Sequence, residues 1–301
     1  MCRVFERIIL KEIQSFLVSN KIISLQQFGF VKKSSTEILL SGALNDWYRG
    51  LYNKKSIEII FIDFKKAFDS IPHNLLLFKL YKLGIRGKLL NWIQAFLTNR
   101  TFRVKIGNSF SDPKNILSGV PQGSVLGPVL FQIYINDIIN DIPEGIKIKL
   151  FADNLKIYSR FGTNETNNLQ LTLDKVINWS NQWALSISNE KTFILHLGRN
   201  NPTQTYKIVD NPIKETEFIR ELGVYIDKNL EFNRHFGHLC KIAYYRMRHL
   251  FMTIISKSLK THSFYIPHMF VQFLSMPHAH GTPQIKKIYS ESKRYKEFLH
   301  V

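Results

Sequence analysis

Apolar positions recur at helical spacing from the first residues: Val4, Phe5, Ile8, Ile9, Ile13, Phe16 and Leu17 share one side, and charged residues fill much of the other. The pattern predicts an amphipathic helix over 4–18 that begins almost at the first residue, and with it a chain truncated at its amino terminus. A second helix is expected from about Ser34 to Leu51, with Ser34 or Ser35 as cap and Glu37 in its first turn. The run 57–62 is short and β-branched, so it predicts a buried strand ending at Asp63. Helices follow after Pro72 and over Leu89–Leu97, then an alternating strand from Phe102 to Ile106. A Gly-Pro loop at 118–124 precedes an apolar helix from Leu126 to Ile139. Alternation on both sides of Asp153-Asn154 predicts a β-hairpin with those two side chains at its tip. A helix over 167–183, strands at 192–197 and 222–226, and a basic helix from Phe232 to about Ser256 complete the pattern. Helices and strands mix without strict alternation, which predicts an α+β fold with helices on one face of a mainly antiparallel sheet.

Composition narrows the class. The 301 residues carry 41 Lys/Arg against 23 Asp/Glu, a net charge of +18, and 45% are hydrophobic. That fraction fits a globular chain and excludes a disordered one. Cys2 and Cys240 are the only cysteines, too few for a disulfide framework. No uninterrupted apolar run approaches the roughly 18 residues of a spanning helix, and the start lacks a signal-peptide pattern. A soluble intracellular protein is expected, nuclear or cytoplasmic, without a membrane partner. The positive excess points to a polyanion, most often nucleic acid.

Two acids stand out by position. Asp63 ends an apolar strand and Asp153 occupies a hairpin tip. If strand and hairpin are sheet neighbours, both carboxylates meet at one end of the sheet, where they would hold Mg²⁺ together with substrate phosphates. The plainer alternative makes Asp63 a strand-end cap and Asp153-Asn154 turn residues. His235, His238 and Cys240 lie close together but lack an evident fourth zinc ligand, so that stretch reads as a basic helix facing nucleic acid.

Longer motifs bear on that choice. The segment 61–69, Phe-Ile-Asp-Phe-Lys-Lys-Ala-Phe-Asp, resembles motif A of reverse transcriptases from LINE-type (non-LTR) retrotransposons, especially jockey-like ones. The segment 118–128 is similar to their motif B, and Phe151-Ala152-Asp153-Asn154 to motif C, which normally reads Phe-Ala-Asp-Asp. Gln27-Phe28-Gly29-Phe30 resembles a fingers segment, Asn189-Glu190-Lys191-Thr192 motif D, and Leu222–Asp227 motif E, the primer grip. Order and spacing of all six agree over roughly residues 3–250.

The resemblance implies a right-handed polymerase with a palm, partial fingers and a helical thumb-like region. Its expected division is 1–55 partial fingers, 56–197 palm, 198–260 motif E and the start of the thumb, and 261–301 an unassigned basic tail. It implies an RNA-directed DNA polymerase, a nucleotidyltransferase that extends a DNA primer on an RNA template with deoxynucleoside triphosphates. Two Mg²⁺ ions, replaceable by Mn²⁺, would assist. Asp63 and Asp153 would be metal ligands, with the Phe64 carbonyl as a further one. Phe68 would be a steric gate against a ribose 2′-hydroxyl, or else a core aromatic. Gln122 would lie near the templating base, Gly119 and Gly123 would admit close backbone approach, and Lys191 would steady or protonate pyrophosphate. Asn154 departs from the family's aspartate and removes one negative charge from the expected metal site. The opposing expectation is an inactive, decayed or co-opted fragment that binds nucleic acid. Oligomeric state is not legible.

Overall fold

The computed structural model describes residues 2–140, 142–162 and 167–254. The expected basic tail, 261–301, lies outside the described residues, as does the end of the expected 198–260 segment. In chain order, helices α1 (Cys2–Ser19) and α2 (Thr36–Tyr52) precede strand β1 (Ser56–Ile62). Helices α3 (Ala67–Ser70), α4 (His73–Lys82) and α5 (Gly87–Leu97) follow. Four two-residue strands come next: β2 (Thr101–Phe102), β3 (Lys105–Ile106), β4 (Ser109–Phe110) and β5 (Lys114–Asn115). Helix α6 (Gly127–Ile135) runs into a 3-10 turn (Asn136–Ile139), then strands β6 (Ile146–Phe151) and β7 (Asn154–Phe161), helix α7 (Leu169–Gln182) and strand β8 (Phe193–Leu197). Strands β9 (Lys207–Ile208), β10 (Asn211–Pro212), β11 (Lys214–Glu215), β12 (Phe218–Glu221) and β13 (Val224–Asp227) lead to helix α8 (Asn233–Ile254). The chain divides after Ile219 into two compact units.

The first unit is organised by a sheet of strand order β11-β8-β1-β7-β6. Its pairings are antiparallel except for β11 beside β8. β1 is central, and Ile57, Ile59, Ile60, Phe61 and Ile62 are all buried. Burial on both faces explains why the strand reads as a continuous apolar run and not as an alternating one. One face, carrying Ile60, Ile62, Ile148, Leu150, Leu155 and Ile157, joins the main core with Leu76 and Leu80 of α4, Phe131 of α6 and Val176 of α7. This is the expected α+β palm, with helices backing a mainly antiparallel sheet.

α2 adds a feature the pattern did not predict. It covers part of the opposite face, where the fully buried Trp47 meets Tyr158 edge-on at 5.9 Å between ring centroids. In the β1–β7 register, Ile57 faces Arg160, Ile59 faces Tyr158 and Phe61 faces Lys156. Directly opposed residues share a face, so extending the register by one residue puts Asp63 and Asn154 on this same face, beyond α2.

Local signals account for several boundaries. Ser35 caps α2, its hydroxyl accepting from the Ile38 amide at 3.3 Å. At the start of α6, Ser124 Oγ accepts from the Gly127 amide at 3.0 Å, and the buried Glu6 carboxylate of α1 accepts from the amides of Val125 at 2.7 Å and Leu126 at 3.3 Å. The expected strand 102–106 is corrected: it breaks at Arg103-Val104 into β2 and β3, which pair with β5 and β4 in a wholly exposed ribbon. Alternation there has no core to face. The expected strand 222–226 starts later, at Val224, because Leu222 and Gly223 adopt positive φ and turn the chain between β12 and β13.

Candidate active site

Asp63 leaves the buried strand β1 and is immediately fastened. Its carbonyl accepts from the Ser188 amide at 2.8 Å, and the Lys65 amide donates to the Ser186 carbonyl at 2.8 Å. Phe64, 2% exposed, is thereby paired with Ile187. Both bonds come from the neighbours of Phe64, so its own carbonyl points away from 186–188, toward the β7 side. The next turn, Asn189-Glu190-Lys191, closes with the Lys191 amide on the Ser188 carbonyl at 3.1 Å. It brings Lys191 Nζ to 4.0 Å from Asp63 Oδ1, with Lys191 71% and Asp63 35% exposed.

Asp153 comes from the other side. The expected tip is corrected: Phe151 pairs with Asn154, so the tip residues are Ala152 and Asp153, and Asn154 is already the first residue of β7. Ala152 adopts φ 54°. A brace from the Gln27-Phe28-Gly29-Phe30 segment holds that conformation. Phe28 N–H donates to the Leu150 carbonyl at 2.7 Å, and the Leu150 amide donates to the Gln26 carbonyl at 2.9 Å. A Cβ on Gly29 would lie 2.3 Å from the Ala152 nitrogen, so only glycine fits against the tip. The Gln27 side chain accepts from the Gly29 amide at 2.8 Å, and Gln132 donates to the Gly29 carbonyl at 3.2 Å.

The two carboxylates sense one another. Burial pushes the Asp153 carboxyl above its ordinary value; its own backbone amide offsets part of this, the Asp63 charge adds to it, and Lys191 counters it. Asp63, Asp153 and Lys191 therefore form one electrostatic cluster at one end of the β1–β7 ladder, with Asn154 opposite Asp63.

A second group sits at the end of motif A. Gln122 donates to Asp69 Oδ1 at 2.8 Å, and both residues are exposed. Gly123 is also exposed, with φ 75° and open space where a Cβ would be. Gly119 differs: its φ is 88°, and a Cβ would come within 2.7 Å of the Asp69 backbone. Its close approach within the chain is to the motif A loop. Ser118 Oγ donates to the Asp69 carbonyl at 2.8 Å, and the amides of Gly119 and Val120 donate to the carbonyls of Ile71 and Phe68. The half-buried Phe68 stacks on Phe131 at 4.1 Å and meets Phe30 edge-on at 6.1 Å.

Sequence reasoning missed Asp69 as the partner of Gln122 and Gly29 as the support of the Asp153 tip. Both lay inside quoted motifs. What was not legible is the long-range contact each makes.

In the second unit, Asp227 at the end of β13 accepts from the amides of Asn229, Glu231 and Phe232 and so sets the turn into α8. Tyr225 meets His238 of α8 edge-on at 5.3 Å.

Comparison with known proteins gives this arrangement a family. The chain is 29% identical over 280 residues to a probable RNA-directed DNA polymerase from transposon BS of Drosophila melanogaster, covering 87% of this chain and 30% of the relative. It is 31% identical over 271 residues to the RNA-directed DNA polymerase from mobile element jockey of Drosophila funebris, covering 85% of this chain and 28% of the relative. It thus spans less than a third of the length of these relatives. Among solved structures, the telomerase of Candida tropicalis in complex with a telomeric RNA fragment matches with a TM-score of 0.54 at 13% identity, over 75% of this chain and 36% of that one. That likeness concerns the fold alone. The family model described as reverse transcriptase (RNA-dependent DNA polymerase) matches residues 1–226. With most of its length matched, the chain belongs to the reverse transcriptase family and is a domain of the jockey-like, non-LTR retrotransposon kind.

Proposed function

We propose that this chain carries the centre for RNA-directed DNA synthesis, extending a DNA primer with deoxynucleoside triphosphates on an RNA template. One observation carries the reading: Asp63, Asp153 and Lys191, from three separate segments, form one electrostatic cluster at an end of the central sheet.

The reverse transcriptase family generally uses divalent metals. The residues here fit a hard cation. The donors are carboxylate oxygens; burial first, and then the Asp63 charge, raise the Asp153 carboxyl, and a bound cation would offset both. Among the described residues no group of three His, Cys, Asp or Glu side chains is placed to hold a metal. Asp63 and Asp153 would hold Mg²⁺, or Mn²⁺ in its place, with the Phe64 carbonyl and substrate phosphates completing the ligands. When bound, two such ions supply positive charge to the triphosphate and make the primer hydroxyl a better nucleophile. Lys191, exposed and tethered beside Asp63, would neutralise or protonate the departing pyrophosphate. Phe68, fixed by stacking on Phe131, would bar a 2′-hydroxyl. Gln122 and Gly123 would face the templating base and nucleotide, with Asp69 orienting the Gln122 amide. The division into partial fingers, palm and thumb belongs to the same proposal.

Asn154 favours a second reading, a chain that binds nucleic acid without turnover, because a neutral amide stands opposite Asp63. Primer extension on an RNA template separates the two. Extension by the chain that vanishes in Asp63→Ala supports a working centre. A gain of about a hundred-fold in Asn154→Asp locates the deficit in the missing charge. No extension by either the chain or Asn154→Asp, with template still bound, leaves the binding reading standing.

A further inference from the structure

Far from the aspartates, on the same face of the sheet, lies an open cleft of about 590 Å³ lined by Tyr48, Arg49, Tyr52, Asn53 and Arg160. Arg160 pairs with Ile57 in the ladder, six residues along β1 from Asp63. At ~3.3 Å per residue the cleft stands roughly 20 Å from the acidic end. No step proposed above uses it.

The cleft is built, not incidental. Gly50 of α2 is buried, and a Cβ there would meet Arg160 Cδ at 3.1 Å, so the glycine lets the arginine stem lie across the helix. The Arg160 guanidinium then reaches the Asp46 backbone carbonyl at 3.5 Å. The Asp46 carboxylate is already taken, by Lys147 Nζ at 2.6 Å and the Tyr158 hydroxyl at 2.6 Å. Among the described residues, neither Arg49 nor Arg160 forms a salt bridge. Tyr52 is 89% exposed, an unusual place for a ring, and Lys54 is exposed just beyond it. The α2 carbonyls that end here are capped by the amides of Asn53, Lys54 and Lys55. Their dipole weakly opposes an anion, less than two guanidiniums and an ammonium attract one.

Two cations without carboxylate partners beside an exposed aromatic ring are the elements of a single-strand site: arginines for the phosphates, a ring for a base. We infer that this cleft binds a single-stranded nucleic-acid segment, with Arg49 and Arg160 on successive phosphates and a base stacked on Tyr52. The site is independent of the metal reading. It would grip a stretch of polymer outside the one being copied.

The test uses labelled RNA and DNA oligonucleotides of about 12 nucleotides, within the span such sites cover. A 4-thiouridine or 4-thiothymidine oligonucleotide is photo-crosslinked to the whole chain, and the adducts are mapped. The expected adduct falls on residues 48–53 and is lost in Tyr52→Ala. In fluorescence anisotropy, Tyr52→Ala weakens binding about ten-fold, and Arg49→Gln with Arg160→Gln lowers the slope of log affinity against log salt by about 1.4. Equal losses for RNA and DNA assign backbone and base stacking; a loss confined to RNA assigns an RNA strand. An unchanged melting temperature in Tyr52→Ala shows that the fold is intact. No adduct on 48–53 at saturating oligonucleotide, together with unchanged affinity and salt slope, overturns the proposal. The polymerase reading is tested separately, by Asp63→Ala in primer extension.

Discussion

Strand β1 carries one carboxylate near its start and another just past its end, and the two are treated differently. Glu58 is 0% exposed, yet its oxygens are met by donors: Asn167 at 2.6 Å, the Gln204 amide at 3.0 Å and the Tyr206 hydroxyl. His196 Nδ1 stands 3.4 Å away without hydrogen-bond alignment. Burial first, and then the Glu58 contact, push the Tyr206 phenol well above its ordinary value. Asp63 is more exposed, and among the described residues its carboxylate meets one ammonium, that of Lys191, at 4.0 Å. A buried charge with its lone pairs filled is part of the structure; one left with open lone pairs beside another carboxylate is available for a ligand. Partners, more than position on the strand, separate the two roles.

Asp63→Ala should cost at least a hundred-fold in primer extension, measured in Asn154→Asp if the parent is too slow, with little change in thermal melting. Glu58→Ala should do the reverse. Stranding the buried donors of Asn167, Tyr206 and Gln204 should cost about 3 kcal/mol, a fall of roughly 6–12 °C in Tm by calorimetry. Equal melting losses in both variants would dissolve the distinction.

A smaller effect sharpens it. Gly29→Ala forces a methyl against Ala152, which should cost about 1–3 kcal/mol and move the Asp153 tip. Extension should fall more than that stability loss explains, read as a drop in kcat at temperatures well below Tm. A variant equally stable and equally active would show that Gly29 does not brace the tip.

A pH-dependent effect concerns a basic counterpart of Glu58. Lys79 is 5% exposed and donates at 2.5 Å to both Asp137 and the Tyr134 carbonyl, with the Trp183 ring 3.7 Å away. Burial lowers its pKa to about 8, partly offset by Asp137. Between pH 8 and the ordinary lysine value the unfolded chain binds more protons than the folded one, so Lys79's contribution to stability rises with pH. Relative to Lys79→Met, the chain should gain up to about 1.4 kcal/mol per pH unit across that window in denaturant titrations. A constant difference would contradict the depressed value.

Much of this was legible in the sequence because it is local. The β-branched run of β1, the Ser35 cap and the helix start after Pro72 depend on near neighbours, and the structure has them where the pattern puts them. The motif order likewise brought Asp63, Asp153 and Lys191 into one expected site. Contacts distant in sequence were not legible. Turn propensity favours Asp-Asn as a tip, but packing against Gly29 puts Ala152 in the turn and makes Asn154 a strand residue. Alternation predicts a continuous strand at 102–106, but only a sheet partner decides where it breaks. The packing of Gly119 against the Asp69 backbone was likewise not legible.

Asp63 and Asp153 are proposed to hold a divalent cation jointly. Mn²⁺ titration followed by electron paramagnetic resonance, with a deoxynucleoside triphosphate present, tests it without requiring turnover. Protein-dependent Mn²⁺ binding should be lost in Asp63→Ala and in Asp153→Ala and tightened in Asn154→Asp. Binding that is the same in all four chains would contradict it.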